Sequence, residues 1–219
     1  RGAAEQYKTS GRHIITFETE HKSTLAIMSY LETQGFEVTI LPVNTDGSID
    51  LKQLETSIRK DTILLAVNHI CNETGCLQDL SPILELKKRF GFMIHLDACQ
   101  TIGKANLSLD SGDIDFVSLS SHKCHGPQGV GAMYIAPGRH INPLIIGSNP
   151  VRSGTISHAL VELMGQAYSI CKRDFMKNME HVTDLRRLFI EGLAQLEYIE
   201  LSNKDSVPHI INIAFPNAS

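Results

Sequence analysis

Short apolar runs alternate with longer amphipathic stretches between residues 13 and 136. The apolar runs predict β-strands, because continuous apolar residues are typical of strands that are buried on both faces. The predicted strands are 13–17, 37–41, 62–68, 92–96, 116–119 and 131–136. The predicted helices between them are 23–34, 50–58 and 81–90. This alternation predicts an α/β fold with a mostly parallel sheet sandwiched by helices.

The pattern changes after Thr155. Residues 159–197 have a nearly continuous helical pattern with charged faces, and 208–215 is predicted to be a strand. We therefore predict a large domain over residues 1–155. Residues 156–219 are predicted to form linking helices and the start of a smaller α+β domain.

Composition excludes several classes of protein. The chain has 219 residues, of which 42% are hydrophobic, and a formal net charge of -4. This balance is typical of a folded protein rather than a disordered one. The longest apolar run, 63–67, is far shorter than the roughly 20 residues of a membrane helix. The mild acidity argues against nucleic-acid binding, so we expect neither a membrane nor a nucleic acid as a partner.

The chain has five cysteines: Cys71, Cys76, Cys99, Cys124 and Cys171. An odd number without short regular spacing predicts free thiols in a reducing compartment, the cytoplasm or a mitochondrial matrix. His69 and His95 lie close enough in sequence to some of them to raise the possibility of a metal site. The spacings do not match the paired patterns of structural zinc, which favours burial of the cysteines as small apolar side chains.

Polar, chemically capable side chains follow three of the predicted buried strands. Because the carboxyl ends of parallel strands meet at one edge of a sheet, and ligands bind there in open α/β folds, we expect these side chains to form one site. The segments are 69–75 after strand 62–68, 97–100 after strand 92–96, and 120–123 after strand 116–119.

Three residues near this edge allow more than one interpretation. Asp97 closes an apolar run, so its carboxylate needs a cationic partner, a helix to cap or a cationic ligand nitrogen. Lys123 lies beside the Gly-rich turn 126–131 and is either a solvated charge or an amine that forms a Schiff base. His21 precedes a predicted helix and is either an exposed loop residue or a proton shuttle that covers a ligand.

Five motifs occur in one order along the chain. They are Glu20-His21-Lys22, His69-x-x-Asn72-Glu73-x-Gly75, His95-x-Asp97-Ala98-x-Gln100, Ser120-x-His122-Lys123-x-x-Gly126-Pro127-x-Gly129-x-Gly131 and Arg152-Ser153-Gly154-Thr155. Together they resemble the cysteine desulfurase family of the NifS/IscS type. These are class V aminotransferase-group enzymes of PLP-dependent fold type I, where PLP is pyridoxal 5'-phosphate.

The resemblance implies a cofactor role for residues along the sheet edge. Lys123 matches the lysine that binds PLP covalently, and Asp97 matches the carboxylate that pairs with the ring nitrogen. His21 matches the histidine that stacks on the ring and transfers protons. Gln100 matches the contact to the phenolic oxygen, and Asn72 matches the side chain near the ring and the substrate carboxylate.

The remaining matches concern the cofactor phosphate. Ser120 and His122 match phosphate ligands within the chain. Thr155 matches a phosphate ligand that is contributed across a dimer interface, which implies a homodimer. Residues 1–155 would thus be a PLP-binding domain.

The implied reaction converts L-cysteine to L-alanine and leaves the sulfur as a persulfide on an enzyme cysteine. The sulfur would pass to an acceptor or scaffold protein, as in iron–sulfur cluster biogenesis. Two alternatives stay open: a selenocysteine lyase or other class V enzyme, and an inactive fragment that keeps the fold as a scaffold. A nucleotide-binding domain is less favoured, because no nucleotide fingerprint is present.

The resemblance also predicts parts that this sequence lacks. The family's phosphate loop would lie before Arg1, and its persulfide cysteine and substrate-binding arginine would lie after Ser219. The segment 144–151 is shorter than the family's Gly-rich segment and lacks its acidic residue. We therefore expect a domain cut at both ends, in which none of the five cysteines is the nucleophile.

Overall fold

The computed structural model describes residues 1–109, 112–203 and 205–216. The strands of the large sheet are β1 His13–Phe17, β2 Glu37–Leu41, β3 Thr62–Asn68, β4 Met93–Asp97, β5 Phe116–Ser120 and β6 Gly131–Ile135. The helices before and between them are α1 Gly2–Tyr7, α2 Lys22–Thr33, α3 Leu51–Ser57 and α4 Leu80–Phe90, with a 3-10 helix at Ser121–Cys124. The helices α5 His158–Arg173 and α6 Phe175–Gly192 and the strands β7 Ile199–Glu200 and β8 Ile213–Ala214 follow.

The strand order reverses once within the sheet, which runs β2-β1-β3-β4-β5-β6. Strands β1 to β5 are parallel, and β6 is antiparallel to β5. After β1 the chain moves outward to β2, and it then returns past β1 to β3. Such a reversal separates the connections that follow two neighbouring strands, and it opens a crevice at their carboxyl ends.

Alternate residues of each central strand pack into two separate apolar layers. On one face Leu65 and Ile94 join Leu54 of α3 and Ile83 of α4. The other face has a similar layer, in which strand residues meet α1 and α2: Ala4, Ile14, Leu31, Leu64 and Phe116. This division follows from the two-residue period of a strand. The predicted α/β fold with helices on both faces is confirmed.

Local signals define the helix ends on one face. Asp50 caps α3 by accepting from the amides of Lys52 at 2.9 Å and Gln53 at 3.0 Å. Asp79 caps α4 through the Ser81 amide at 2.9 Å. Gly91 ends α4 with a φ of 82°, a left-handed conformation that glycine adopts without a steric penalty.

The carboxyl-terminal part of the described chain differs from its prediction. The helical pattern of 159–197 forms two helices, which meet at Asp174, and the second ends at Gly192. The strand predicted at 208–215 is reduced to Ile213–Ala214, because its partner β7 offers only two residues for pairing. The domain boundary after Thr155 stays a prediction. In the ranges that the structure describes, every helix is too short or too polar to span a bilayer.

A buried carboxylate joins three elements at the amino end of the sheet. Asp115 is 1% exposed, and its two oxygens contact Lys87 Nζ of α4 and Arg139 Nε after β6, each at 2.6 Å. The Ile94 amide of β4 also donates to Asp115 at 2.7 Å. Its charge is therefore neutralised and hydrogen-bonded, as a buried carboxylate requires.

We expect Asp115→Ala to lower the free energy of unfolding by about 3 kcal/mol, because Lys87 would be left as a largely buried charge without its partner. Urea denaturation of the two proteins measures the difference. Glu85→Ala, which removes the exposed pair with Lys88 on the same helix, is the matched control and should shift the midpoint little. Equal midpoints for Asp115→Ala and wild type would contradict the role of this network.

Candidate active site

A cavity of about 300 Å³ lies at the carboxyl ends of β1, β3, β4 and β5. Seven of the eight site residues predicted from the sequence line it: His21, Asn72, Asp97, Gln100, Ser120, His122 and Lys123. These seven residues come from the ends of four parallel strands or from the segments that follow them. The cavity spans the reversal between β1 and β3, where an α/β sheet is expected to bind a ligand.

Asp97 presents a carboxylate to this cavity from the end of β4. Its Oδ1 accepts a hydrogen bond from the Cys99 amide at 2.9 Å. No lysine, arginine or histidine within 1–109, 112–203 and 205–216 forms an ion pair with it. The side chain is half-buried rather than largely buried as expected. A partly desolvated carboxylate without a protein cation is a suitable site for a cationic ligand nitrogen.

Lys123 reaches the cavity from the 3-10 helix that follows β5. This helix ends at His125, whose φ of 60° is left-handed, and the chain then passes into Gly126. A Cβ at Gly126 would lie 2.2 Å from Ser121 Oγ and 3.2 Å from Ala167 Cβ, so a larger residue would require its neighbours to move. Lys123 also borders a second cavity of about 440 Å³ on its other side.

Ser120 and His122 lie on the same turn as Lys123. The Ser120 hydroxyl and His122 Nδ1 are 2.8 Å apart, so the two side chains share a hydrogen bond beside the cavity. A hydroxyl and an imidazole held together in this way leave at least one donor of the pair free for an anion.

His21 lies at the other side of the strand reversal, as the N-cap of α2. Its Nδ1 accepts from the Ser23 amide at 3.2 Å and is 2.8 Å from the Ser23 hydroxyl. A neutral ring with Nδ1 as an acceptor carries its proton on Nε2. His21 is therefore oriented by its own helix.

Gln100 and Asn72 complete the predicted set within the cavity. Lys104 Nζ donates to Gln100 Oε1 at 2.9 Å, which leaves the amide nitrogen of Gln100 as its donor toward a ligand. Asn72 follows β3 in a turn that is closed by the Gly75 amide and the Cys71 carbonyl at 2.9 Å.

Thr155 is the predicted site residue that does not line this cavity. It is exposed, in the segment between β6 and α5. Its predicted role across a dimer interface needs a second chain, so that role stays a prediction.

The two histidines considered for a metal site each contact a hydroxyl group. His69 Nδ1 is 3.0 Å from the Thr101 hydroxyl, and His95 Nε2 is 2.8 Å from the Ser118 hydroxyl. Burial lowers the pKa of each of these histidines to about 4. The five cysteines are free thiols. In the described part of the chain, no three histidine, cysteine or acidic side chains are close enough to hold a metal ion.

Four further residues line the cavity that sequence reasoning did not assign: Ser23, Asn68, Ile70 and Cys99. Asn68 ends an apolar run as Asp97 does, so the same strand-end signal could have found it. Cys99 had no such signal, because its neighbours in the sequence do not show that its thiol faces the cavity. Burial raises the pKa of Cys99 to about 12, so the thiol keeps its proton.

Comparison with known proteins identifies the family to which this arrangement belongs. The family model described as Aminotransferase class-V matches residues 1–219. The chain belongs to the class-V aminotransferase family. This confirms the group that the five sequence motifs indicate.

Individual members of the class-V family resemble the chain closely. It is 39% identical over 222 residues to the cysteine desulfurase IscS of Mannheimia succiniciproducens, an alignment that covers 98% of this chain and 55% of the relative. A solved NifS-like protein matches with a TM-score of 0.94 and 34% identity, over 99% of this chain and 61% of that one. The structure of SspA in complex with cysteine matches with a TM-score of 0.85 and 29% identity, over 99% and 62%. The chain spans about half the length of the curated relatives it matches.

Class-V aminotransferases and cysteine desulfurases are PLP-dependent, and the residues of this cavity fit that cofactor. PLP needs an amine, an anionic partner for its ring nitrogen and donors for its oxygen atoms. The cavity offers the Lys123 amine, the Asp97 carboxylate, which has no ion pair among the described residues, and donors from Gln100 and the Ser120–His122 pair.

We expect Gly126→Ala to lower the free energy of unfolding by about 2 kcal/mol, because a Cβ would overlap Ser121 at the turn that places Lys123. Gly165→Ala is the matched control. It adds a Cβ within α5 with no atom inside 4 Å and should raise stability by up to about 1 kcal/mol. Thermal unfolding compares the variants, and two alanine variants of equal stability would contradict the packing at this turn.

Proposed function

We propose that the chain is the cofactor-binding part of a PLP-dependent cysteine desulfurase. One observation carries this proposal. Lys123 and Asp97 line the same cavity at the ends of the adjacent strands β5 and β4, and Asp97 has no ion pair among the described residues. PLP, when bound, supplies an electron sink for bonds at the α-carbon of an amino acid.

Lys123 and Asp97 have different tasks in the proposed site. Lys123 supplies the amine that holds the cofactor covalently. Asp97, at the end of β4, would hold the protonated ring nitrogen by a charged hydrogen bond. Because Asp97 has no ion pair in the described chain, its charge is not already neutralised by the protein.

The other cavity residues orient the bound groups and move protons. His21 would stack on the cofactor ring and would hold a proton for transfer on its Nε2. The Gln100 amide would donate to the phenolic oxygen, and Asn72 would lie near the substrate carboxylate. The Ser120–His122 pair would donate to the phosphate.

A second copy of the chain would complete the phosphate site through Thr155. Support comes from exposed apolar side chains in the same segment of the chain, among which Ile146 is 87% exposed and Ile156 is 52% exposed. Exposed apolar residues concentrated in one segment are typical of a protein interface. The proposed protein is therefore a homodimer.

The proposed reaction converts L-cysteine to L-alanine and transfers the sulfur to an enzyme cysteine as a persulfide. The similar SspA structure in complex with cysteine supports this substrate. None of the five cysteines is proposed as the acceptor, since the thiol in the cavity, Cys99, has a pKa of about 12 and the other four are buried. Sulfur would pass from the persulfide to an acceptor or scaffold protein for iron–sulfur clusters. Free thiols agree with a reducing compartment such as the cytoplasm.

Lys123→Ala tests the proposed cofactor link directly. The full-length wild-type protein, incubated with PLP and freed of excess, should retain the visible absorption band of a lysine-linked cofactor. Lys123→Ala should lose this band, because no amine in the cavity replaces Lys123. Lys88→Ala, on the exposed face of α4, is the control and should keep it. A wild-type protein that stays colourless would contradict the proposed function.

Asp97→Asn tests the role of the carboxylate. We expect the variant to retain PLP while the release of sulfide from cysteine slows on the order of 100-fold in kcat, because a stabilising charge has been removed. Parallel assays with selenocysteine separate a desulfurase from a selenocysteine lyase. Wild-type turnover of cysteine by Asp97→Asn would contradict the assigned role.

A further inference from the structure

Glu20 is a buried carboxyl group outside the cavity, in the turn between β1 and α2. The residue is 5% exposed. Its Oε1 accepts a short hydrogen bond from the backbone amide of Asn68, the last residue of β3. The Asn68 side chain in turn donates to the Thr19 carbonyl at 2.9 Å. Two hydrogen bonds thus fasten this turn to the end of β3.

Where β1 and β3 separate, the Glu20 side chain supplies the hydrogen-bond acceptor that a neighbouring strand would otherwise provide. The paired residues of the two strands end at Ile15 and Leu65, and the Thr16 hydroxyl then bonds to the Ala66 carbonyl at 3.1 Å. Beyond this point β1 turns away toward α2. A buried amide without an acceptor is costly, and Glu20 satisfies the amide of Asn68.

The same contact links cavity residues from three segments. His21 is the residue after Glu20, and its position depends on the path of this turn. On its other side, β3 pairs Asn68 with Asp97 of β4, and the His69 amide donates to the Asp97 carbonyl at 2.9 Å. Glu20 therefore lies between the turn that carries His21 and the strand ends that carry Asn68 and Asp97.

We propose that Glu20 is a positioning residue, whose carboxyl group holds His21 and the Asn68–Asp97 strand ends in one fixed arrangement around the cofactor cavity. This inference rests on the proposed function, since it concerns the residues that would contact PLP. Glu20 does not line the cavity itself and acts through its neighbours.

The surroundings of Glu20 favour a neutral acid. Burial raises its pKa to about 8, against the lowering effect of the Asn68 amide, and the nearby charge of Asp97 adds to the increase. Its Oε2 is buried without a partner of normal hydrogen-bond geometry, although the Thr24 side chain is near enough to lower the pKa slightly.

The other titratable groups of this turn, Glu18 and His21, make their contacts away from Glu20. Glu18 is exposed, and its Oε1 accepts from the Val43 amide at 3.3 Å. The ring of His21 is directed to Ser23 by its Nδ1 contacts. Asp97 on β4 is the titratable group whose charge acts on Glu20 from a packed element.

The test compares Glu20→Gln and Glu20→Ala in the full-length protein. Glu20→Gln keeps an oxygen that accepts from Asn68 and cannot ionise. Glu20→Ala leaves the buried amide without an acceptor, so PLP affinity should fall about tenfold or more. Glu20→Gln should bind PLP within about threefold of wild type. Glu32→Ala, at an exposed position of α2, is the control and should bind as wild type.

A second readout needs no bound cofactor. The pKa of Glu20 in the folded protein, about 8, lies above the ordinary value of 4.5. The folded state therefore holds the proton more tightly, and the stability that this provides is lost as the pH rises toward 8. The melting temperature of the PLP-free wild type should fall relative to that of Glu20→Gln between about pH 5 and pH 8.

The inference is overturned if the melting temperatures of wild type and Glu20→Gln change in parallel with pH. It is also overturned if Glu20→Ala binds PLP with wild-type affinity. If Glu20→Ala does not fold, the pH dependence of the melting temperature of Glu20→Gln, compared with that of the wild type, tests the inference. Failure of the proposed function looks different, because the wild-type protein would then bind no PLP. A wild type that binds PLP while all variants behave alike contradicts only the role of Glu20.

Discussion

The reversal of strand order between β1 and β3 is the constraint on which the site depends. It makes the segment after β1 turn in one direction while the segment after β3 turns in the other, and a cavity opens between them. Parallel pairing of β3, β4 and β5 then brings Asp97 and Lys123 to the same edge. Two apolar layers pack against the two faces of the sheet and fix the positions of its strands.

The electrostatic surroundings of three acidic residues determine what each of them does. Asp115, at the amino end of the sheet, is paired with Lys87 and Arg139 and belongs to the structure. Asp97, at the carboxyl end, has no ion pair in the described segments and remains for a ligand. Burial raises the pKa of Glu20, near Asp97, to about 8. The three acidic residues thus have different roles because their surroundings differ.

The sequence predicted the sheet well because periodicity depends on local burial. The ranges of β1, β2 and β3 match their predictions to the residue. Helix α1, with six residues, was missed because it is too short to show a period. The site was found from strand-end positions, but Cys99 and Glu20 were not assigned, because neither position reveals which way its side chain faces. The break at Asp174 was also missed, since the helical period continues through it.

The central claim is that this cavity holds PLP through Lys123. The most direct measurement is borohydride reduction of the full-length protein with PLP, followed by proteolysis and mass spectrometry of the labelled peptide. We expect a pyridoxyl group on Lys123. A label confined to other lysines, such as Lys104 on the neighbouring cavity, or no stable label at all, would contradict it.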